Sequence, residues 1–245
     1  VQSNRNQNGN NPVYPNHSRQ TTYKYNSYDE RVYINSPDEG VTKFWYDELG
    51  RIVAKQSAAQ RKLGNVYTYS LYDELNRKVE TGQVDALSSL TSSKARDYSQ
   101  FEQWVKQGTR EQVVHKYYDE PLNSSINGYF PNGQENLRKR VSTIIYENKW
   151  DSQSDTYDFA THFSYDPHGN VDFLVKENTK FPKPHQVKKI DYDYDIITKN
   201  VQKIVFQPGK KDQFIQKYKY DKDNRMSKVL TSKRRIHWEE EAKYY

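Results

Sequence analysis

The chain has 245 residues, a formal net charge of +6, no cysteine and a hydrophobic content of only 33%. No apolar run approaches the roughly 20 residues of a membrane-spanning helix, and the missing cysteines exclude disulfides and thiolate chemistry. The 22 Tyr, 9 Phe and 4 Trp exclude general disorder, because disordered segments are short of aromatics and tyrosine buries more surface than hydropathy scales credit.

In chain order, residues 1–20 are expected to form a flexible or irregular lead-in, since positions 2–11 are almost all Asn, Gln, Ser, Gly and Arg. Residues 21–245 read as one sheet-forming segment. Polar and aromatic residues alternate over 21–25, which predicts a strand. Asn35-Ser-Pro-Asp-Glu-Gly40 predicts a hairpin turn. Strands are expected over 41–46 and 51–55 around a turn at 47–50, and over 66–72 and 77–81 around a turn at 73–76. Residues 84–110 break this rhythm. There Tyr98, Phe101, Trp104 and Val105 recur at helical spacing, predicting a short helical insertion near 97–107 whose aromatic stripe is a packing face. Strand character resumes over 111–118, followed by a Gly-, Pro- and Asn-punctuated loop at 121–133. Further strands are expected over 140–146, 156–165, 171–176, 187–194, 201–206, 214–220, 226–230 and from 236 onward. A polar loop at 148–155 and a connector at 180–184 separate some of them.

One motif recurs at these turns. Tyr46-Asp47-Glu-Leu-Gly50-Arg51 returns as Tyr72-Asp73-Glu-Leu-Asn76-Arg77, Tyr165-Asp166-Pro-His-Gly169-Asn170 and Tyr220-Asp221-Lys-Asp-Asn224-Arg225. The period is roughly 25–30 residues where it is regular. Asp at the first turn position can accept hydrogen bonds from backbone N–H groups further round the turn. Gly50, Asn76, Gly169 and Asn224 stand where the backbone must go left-handed, which Gly does freely and Asn tolerates best among the rest. Tyr46, Tyr72, Tyr165 and Tyr220 end their strands on a common face and are expected to form a ladder of rings. Arg51, Arg77 and Arg225 begin the return strands, placed to stack on a tyrosine or to pair with an aspartate. A lone hairpin is marginal in water, so the units must lie side by side in a continuous all-β sheet of stacked antiparallel hairpins, stabilised mainly by neighbours in sequence.

The pattern Tyr-Asp-x-x-Gly/Asn-Arg resembles the RHS/YD-repeat family. So do the stretches Tyr129-Phe-Pro-Asn-Gly, Lys189-Ile-Asp-Tyr-Asp-Tyr-Asp and Phe214-Ile-Gln-Lys-Tyr-Lys-Tyr-Asp. The resemblance covers nearly everything beyond the lead-in. Tyr118-Asp119-Glu-Pro and Tyr194-Asp195-Ile-Ile depart from it and are expected to have longer or irregular turns. The resemblance implies a long β-ribbon that spirals into a hollow shell, able to enclose or present a C-terminal toxin or effector cargo. Relatives include shell components of insecticidal toxin complexes, wall-associated proteins and teneurins. It further implies a secreted or cell-surface protein acting in interbacterial competition or cell-surface interaction. The implied partners are the remainder of its own RHS chain, its cargo, and a secretion channel with accessory proteins. The ending at 241–245 resembles 217–220, which lead into Asp221, so the segment is expected to be truncated from a longer chain. The family's self-cleaving aspartates have no counterpart here; Asp166-Pro167 is a turn dipeptide.

Other candidate sites are weaker. Asp191, Asp193 and Asp195 alternate along one strand, but a strand lacks the curled loop that wraps calcium, so an acidic face beside Lys188, Lys189 and Lys199 is expected. His17, His115, His162, His168, His185 and His237 lack zinc-motif spacing. Neither a Gly-x-Ser-x-Gly elbow nor a glycine-rich phosphate loop occurs. Basic residues are interspersed with acidic ones; even the densest run, 232–235, lies near Glu239–Glu241, which argues against a nucleic-acid footprint. No catalytic residue, cofactor, metal or membrane insertion is expected. The alternative is a cell-surface adhesin or carbohydrate-binding module that stacks sugars on Trp45, Trp104, Trp150 or Trp238.

Overall fold

The computed structural model describes residues 20–151, 156–183, 185–234 and 237–244. The strands are β1 (Thr22–Tyr25), β2 (Arg31–Ser36), β3 (Gly40–Tyr46), β4 (Ile52–Gln56), β5 (Val66–Tyr72), β6 (Lys78–Asp85), β7 (Thr109–Tyr118), β8 (Val141–Lys149), β9 (Phe159–Tyr165), β10 (Val171–Asn178), β11 (Val187–Tyr194), β12 (Val201–Phe206), β13 (Phe214–Tyr220), β14 (Met226–Ser232) and β15 (Glu239–Lys243). They form one antiparallel sheet in strict sequence order. Three short helices interrupt it: α1 (Ala58–Lys62), α2 (Ser92–Arg96) and α3 (Tyr98–Gln107). The chain divides into two compact units. One holds Val1–Leu71 with Gly82–Arg110; the other holds Tyr72–Thr81 with Glu111–Tyr245.

In the first unit the core forms where α3 covers sheet aromatics. Asp97 caps α3 by accepting from the Gln100 amide at 3.0 Å, and Phe101, Trp104 and Val105 are its buried face. The Trp104 ring meets Tyr67 edge-on at 5.1 Å, while its indole N–H donates to the Ser88 carbonyl at 2.9 Å. Tyr67 in turn meets Trp45 edge-on at 5.4 Å. The aromatic stripe at 98–105 is therefore a packing face, as its helical period implies. α1 does not follow from strand periodicity. It forms because Ser57 and Gln60 make a reciprocal capping box, which satisfies two otherwise orphaned amides.

In the second unit Val113, Ile145, Ala160, Val175, Val205 and Ile215 are buried on β7, β8, β9, β10, β12 and β13. The segment 120–139 lies over part of this stripe. Its 3₁₀ turn Ser124–Tyr129 is capped by Asn123, and Ile126 and Phe130 pack on Val175, flanked by Leu122, Phe173 and Val187. The loop expected at 121–133 thus carries local helix and a small core of its own.

Several boundaries differ from the sequence reading. β6 runs on to Asp85 and β7 starts at Thr109, so the interruption is shorter than 84–110. The last strand starts at Glu239, and His237 and Trp238 lie outside it. The lead-in expected over 1–20 lies outside the described residues except for Gln20, as do 152–155 of the polar loop and Arg235 and Ile236.

Candidate functional site

The repeated turn is the most regular feature of the molecule. In the turn from Asp47 to Arg51, the Asp47 amide donates to the Arg51 carbonyl at 3.1 Å and the Gly50 amide to the Asp47 carbonyl at 3.2 Å. One Asp47 carboxylate oxygen accepts from the Leu49 and Arg51 amides at 3.0 and 2.9 Å. The other accepts from Arg51 Nε at 2.7 Å. Gly50 has φ +74°. The Asp47 side chain is only 1% exposed, so its charge is held by a closed set of donors rather than by water.

The same cage is built at Asp73, with Leu75 and Arg77 amides at 3.0 and 2.8 Å, Arg77 Nε at 2.7 Å and Asn76 at φ 63°. It is built again at Asp221, with Asp223 and Arg225 amides at 2.8 and 2.9 Å, Arg225 Nε at 3.1 Å and Asn224 at φ 60°. At Asp166 an asparagine replaces the arginine: Asn170 donates its amide at 2.9 Å and its side-chain N–H at 2.8 Å, and Gly169 has φ 94°. Burial pushes the Asp73 carboxyl up, but hydrogen bonds from Arg77 and Leu75 outweigh it and hold the group below the ordinary value. Asp221 is lowered first by the Arg225 amide.

Three further turns complete the series. Residues 26–30 carry a copy in which Asn26 replaces the aspartate. Asn26 Oδ1 accepts from the Tyr28 and Glu30 amides at 3.0 Å each, its Nδ2 donates to Glu30 at 2.6 Å, and Asp29 has φ 58°. The two departures from the pattern are the same turn lengthened. Asp119 donates its amide to Arg140 across the whole 120–139 segment at 3.1 Å, and Lys139 takes the left-handed place at φ 62°. Asp195 heads a turn one residue longer, with Lys199 at φ 63° and Ile197 and Thr198 amides on its carboxylate.

The tyrosines link one hairpin to the previous one. Each hydroxyl donates to the carbonyl of the first residue of the preceding return strand: Tyr46 to Arg31 at 2.8 Å, Tyr118 to Lys78 at 3.1 Å, Tyr165 to Val141 at 2.8 Å, Tyr194 to Val171 at 2.9 Å and Tyr220 to Val201 at 2.8 Å. Burial raises all five phenols. The expected ladder is thus carried by hydroxyl-to-carbonyl links, because the signature tyrosines stand on alternate strands, about 10 Å apart, beyond ring contact. Tyr72 ends β5 with Lys78 Nζ 5.7 Å from its ring. Arginines add cross-ties. Arg77 also reaches Asp119 at 2.7 Å and lies 4.2 Å from the Tyr118 ring. Arg96 of α2 donates to the Asp47 carbonyl at 3.0 Å, pairs with Glu30 and covers Tyr28 at 4.2 Å.

Beside the turns at Asn26, Asp47, Asp119, Asp195 and Asp221 the ladder shifts register by one residue. Tyr25, Tyr46, Tyr118, Tyr194 and Tyr220 pair with Arg31, Ile52, Val141, Val201 and Met226, and the next return-strand residue is bulged out. Neither this bulge nor the copy at 26–30 follows from the Tyr-Asp motif. The signals were the Tyr25-Asn26 pair, chemically close to Tyr-Asp, and the six-residue step from tyrosine to partner shared by Tyr25, Tyr46 and Tyr220.

A second cluster lies under the 120–139 segment. His162 is 0% exposed; its Nδ1 is 2.9 Å from Thr143 Oγ1 and its Nε2 3.2 Å from Glu177. The Tyr157 and Tyr129 hydroxyls hydrogen-bond the same carboxylate. These donors, His162 foremost, pull the Glu177 carboxyl down to about 2. The cluster buries a charge with full hydrogen bonding and holds the 3₁₀ turn to the sheet.

The other sequence candidates are separate from one another. Asp191 faces Lys189 at 3.5 Å, Asp193 faces Lys203 at 2.6 Å, and Asp195 caps its turn. Asp191 and Asp193 share a face of β11 as expected, but Asp195 does not, because β11 ends at Tyr194. His115 stacks on Trp150 at 4.3 Å, whereas His168, His185 and His237 lie apart near the surface; His17 lies outside the described residues. Trp104 is buried, and only Trp238 of the four tryptophans is exposed, at 37%.

Comparison with known protein families and with characterised proteins returns no match. Among solved structures, a chain of the Photorhabdus luminescens Tc holotoxin pore bearing a TccC3 mutation aligns with 80% of this chain and 9% of its own, at 14% identity and a TM-score of 0.40. A chain of the TcdB2-TccC3 crystal structure aligns with 88% of this chain and 11% of its own, at 10% identity and a TM-score of 0.40. This chain therefore spans about a tenth of the length of those solved chains.

Proposed function

We propose that this chain is a wall segment of an exported RHS-type shell that encloses or presents a cargo encoded elsewhere in the same polypeptide. One observation carries the reading: the same hydrogen-bonded turn heads the hairpins at Asn26, Asp47, Asp73, Asp119, Asp166, Asp195 and Asp221. An active site is built once and varies around its reacting group. This cage repeats, and its carboxylates spend their lone pairs on turn amides and guanidinium groups, so it serves construction. A bulge bends its strand and adds right-handed twist. Bulges repeated beside the turns supply local curvature of the kind that an enclosing wall requires. Partners under this reading are the rest of the RHS chain, its cargo, and the secretion channel with accessory proteins that carries the whole to the surface or medium.

The test is to express the complete reading frame containing this segment, image it by electron microscopy and follow its C-terminal region under limited proteolysis. A hollow particle with a protease-resistant internal segment is expected. A solid or extended particle, or a C-terminal region cleaved as fast as an unfolded control, removes the reading.

A further inference from the structure

A cleft of about 640 Å³ opens in the second unit between the 3₁₀ turn, β11 and the turn joining β12 to β13. Its volume lies in the range of ligand-binding clefts. Val187 forms the apolar floor, backed by the fully buried Val175, and the Tyr129 ring forms one lip. The hydrogen bond from the Tyr129 hydroxyl to Glu177 fixes that lip from behind. Around the floor stand Lys188, Lys189, Lys210 and Lys211.

The charges are unevenly matched. Lys188 pairs with Asp212 at 2.6 Å and Lys189 faces Asp191 at 3.5 Å. Lys210 and Lys211 have no carboxylate partner among the described residues. The turn that presents them is opened by Gly209 at φ 72°. Two uncompensated ammonium groups over an apolar floor favour a ligand that is anionic and apolar at once. No arginine lines the cleft, so it lacks the planar fork that grips phosphate with two parallel bonds. Its one lip ring is tethered by the hydroxyl and stands alone, where single-stranded nucleic acid needs successive rings on which to stack its bases.

We propose that this cleft binds an acidic polypeptide segment, with an apolar side chain seated on Val187 beside the Tyr129 ring and flanking carboxylates held by Lys210 and Lys211. The proposal stands whether or not the segment belongs to a shell.

The test uses the 245-residue chain and fluorescence anisotropy of a fluorescein-labelled peptide of alternating glutamate and leucine. Saturable binding is expected, weakened about tenfold or more by the double variant K210E/K211E and by raised salt. The variant K62E/K222E makes the same charge change at exposed sites away from the cleft, and should bind like the parent. A peptide of alternating glutamate and serine should bind about tenfold more weakly, since the floor contact is lost. Circular dichroism checks that both variants fold. The proposal is overturned by absence of binding, by equal loss in K62E/K222E, by equal affinity for the serine peptide, or by a single-stranded oligonucleotide that displaces the peptide at lower concentration.

Discussion

At the residue scale, the turn carboxylate decides the outcome. Truncating Asp47 to alanine strands the Leu49 and Arg51 amides and leaves the Arg51 guanidinium beside a dry cavity. The expected cost is about 2–4 kcal/mol, read as a lower urea midpoint; a change under about 0.5 kcal/mol would show that water replaces the carboxylate freely. Asp47→Asn should cost less, because Asn26 closes the same turn with an amide oxygen. The left-handed position discriminates by neighbour as well as by φ. A Cβ at Gly50 would meet nothing nearer than Glu30 Oε1 at 3.6 Å, whereas one at Gly169 would lie 2.6 Å from Arg140 Nη2. Gly50→Asn is therefore expected within about 1 kcal/mol of the parent, whereas Gly169→Asn also requires the flexible Arg140 guanidinium to swing aside, a small further cost that Arg140→Ala should remove. Glu177 gives a pH signature. Its folded pKa, about 2, lies below the ordinary value of 4.5, so its contribution is complete above that value and fades as pH falls through 2. That shift corresponds to about 3 kcal/mol. Urea midpoints measured from pH 7 to pH 2 should fall more steeply for the parent than for Glu177→Gln; parallel curves would mean that the buried carboxylate is not held by its three donors.

At the element scale, the helices are placed by contacts at their ends. Gly108 follows α3 with an ordinary φ, yet a Cβ there would lie 2.5 Å from Val84 Cγ2 and 2.8 Å from the Asp85 carbonyl. Gly108→Ala must push α3 off β6, at an expected cost of about 1–3 kcal/mol, and Val84→Ala in the same chain should recover much of it. Thermal unfolding of the single and double variants measures both. Strands and turns were legible in the sequence because their cause is local: alternation marks the strand, and Gly or Asn marks a required backbone sign. α3 was legible because Phe101, Trp104 and Val105 keep a helical period. α1 was overlooked although Ser57 and Gln60 spell its cap, since five residues cannot display a period. The link from each tyrosine to the preceding hairpin was illegible for a different reason. It joins residues 15 to 40 positions apart through a backbone carbonyl, and carbonyls leave no trace in residue identity. The turn at Asp119 was hidden likewise, its two ends being separated by the segment that carries Tyr129 and Phe130.

At the scale of the whole molecule, the repeating link has a direction. Tyr46, Tyr118, Tyr165, Tyr194 and Tyr220 each reach back to a carbonyl at the start of the previous return strand, so these hairpins offer a hydroxyl on one side and an acceptor on the other. Tyr25 stands at the equivalent position on β1, the first strand of the order among the described residues, and is 60% exposed. β1 is exposed along its whole length, and an exposed edge strand is a template for pairing with another chain. Met226, the equivalent of the acceptor residues, stands near the other end of the order on β14 and is 38% exposed. Donor and acceptor ends differ, so pairing between copies is head-to-tail, and such contacts do not close unless the rotation permits a ring. The purified 245-residue chain is therefore expected to grow with concentration through a ladder of oligomers in sedimentation velocity, without stopping at a dimer. Tyr23→Lys with Tyr25→Lys, which places charge on β1, should return it to monomer, and Tyr25→Phe alone should weaken growth by removing only the hydroxyl. A chain that stays monomeric up to about 100 μM and melts in one sharp transition would show that β1 is closed by means other than a neighbouring hairpin.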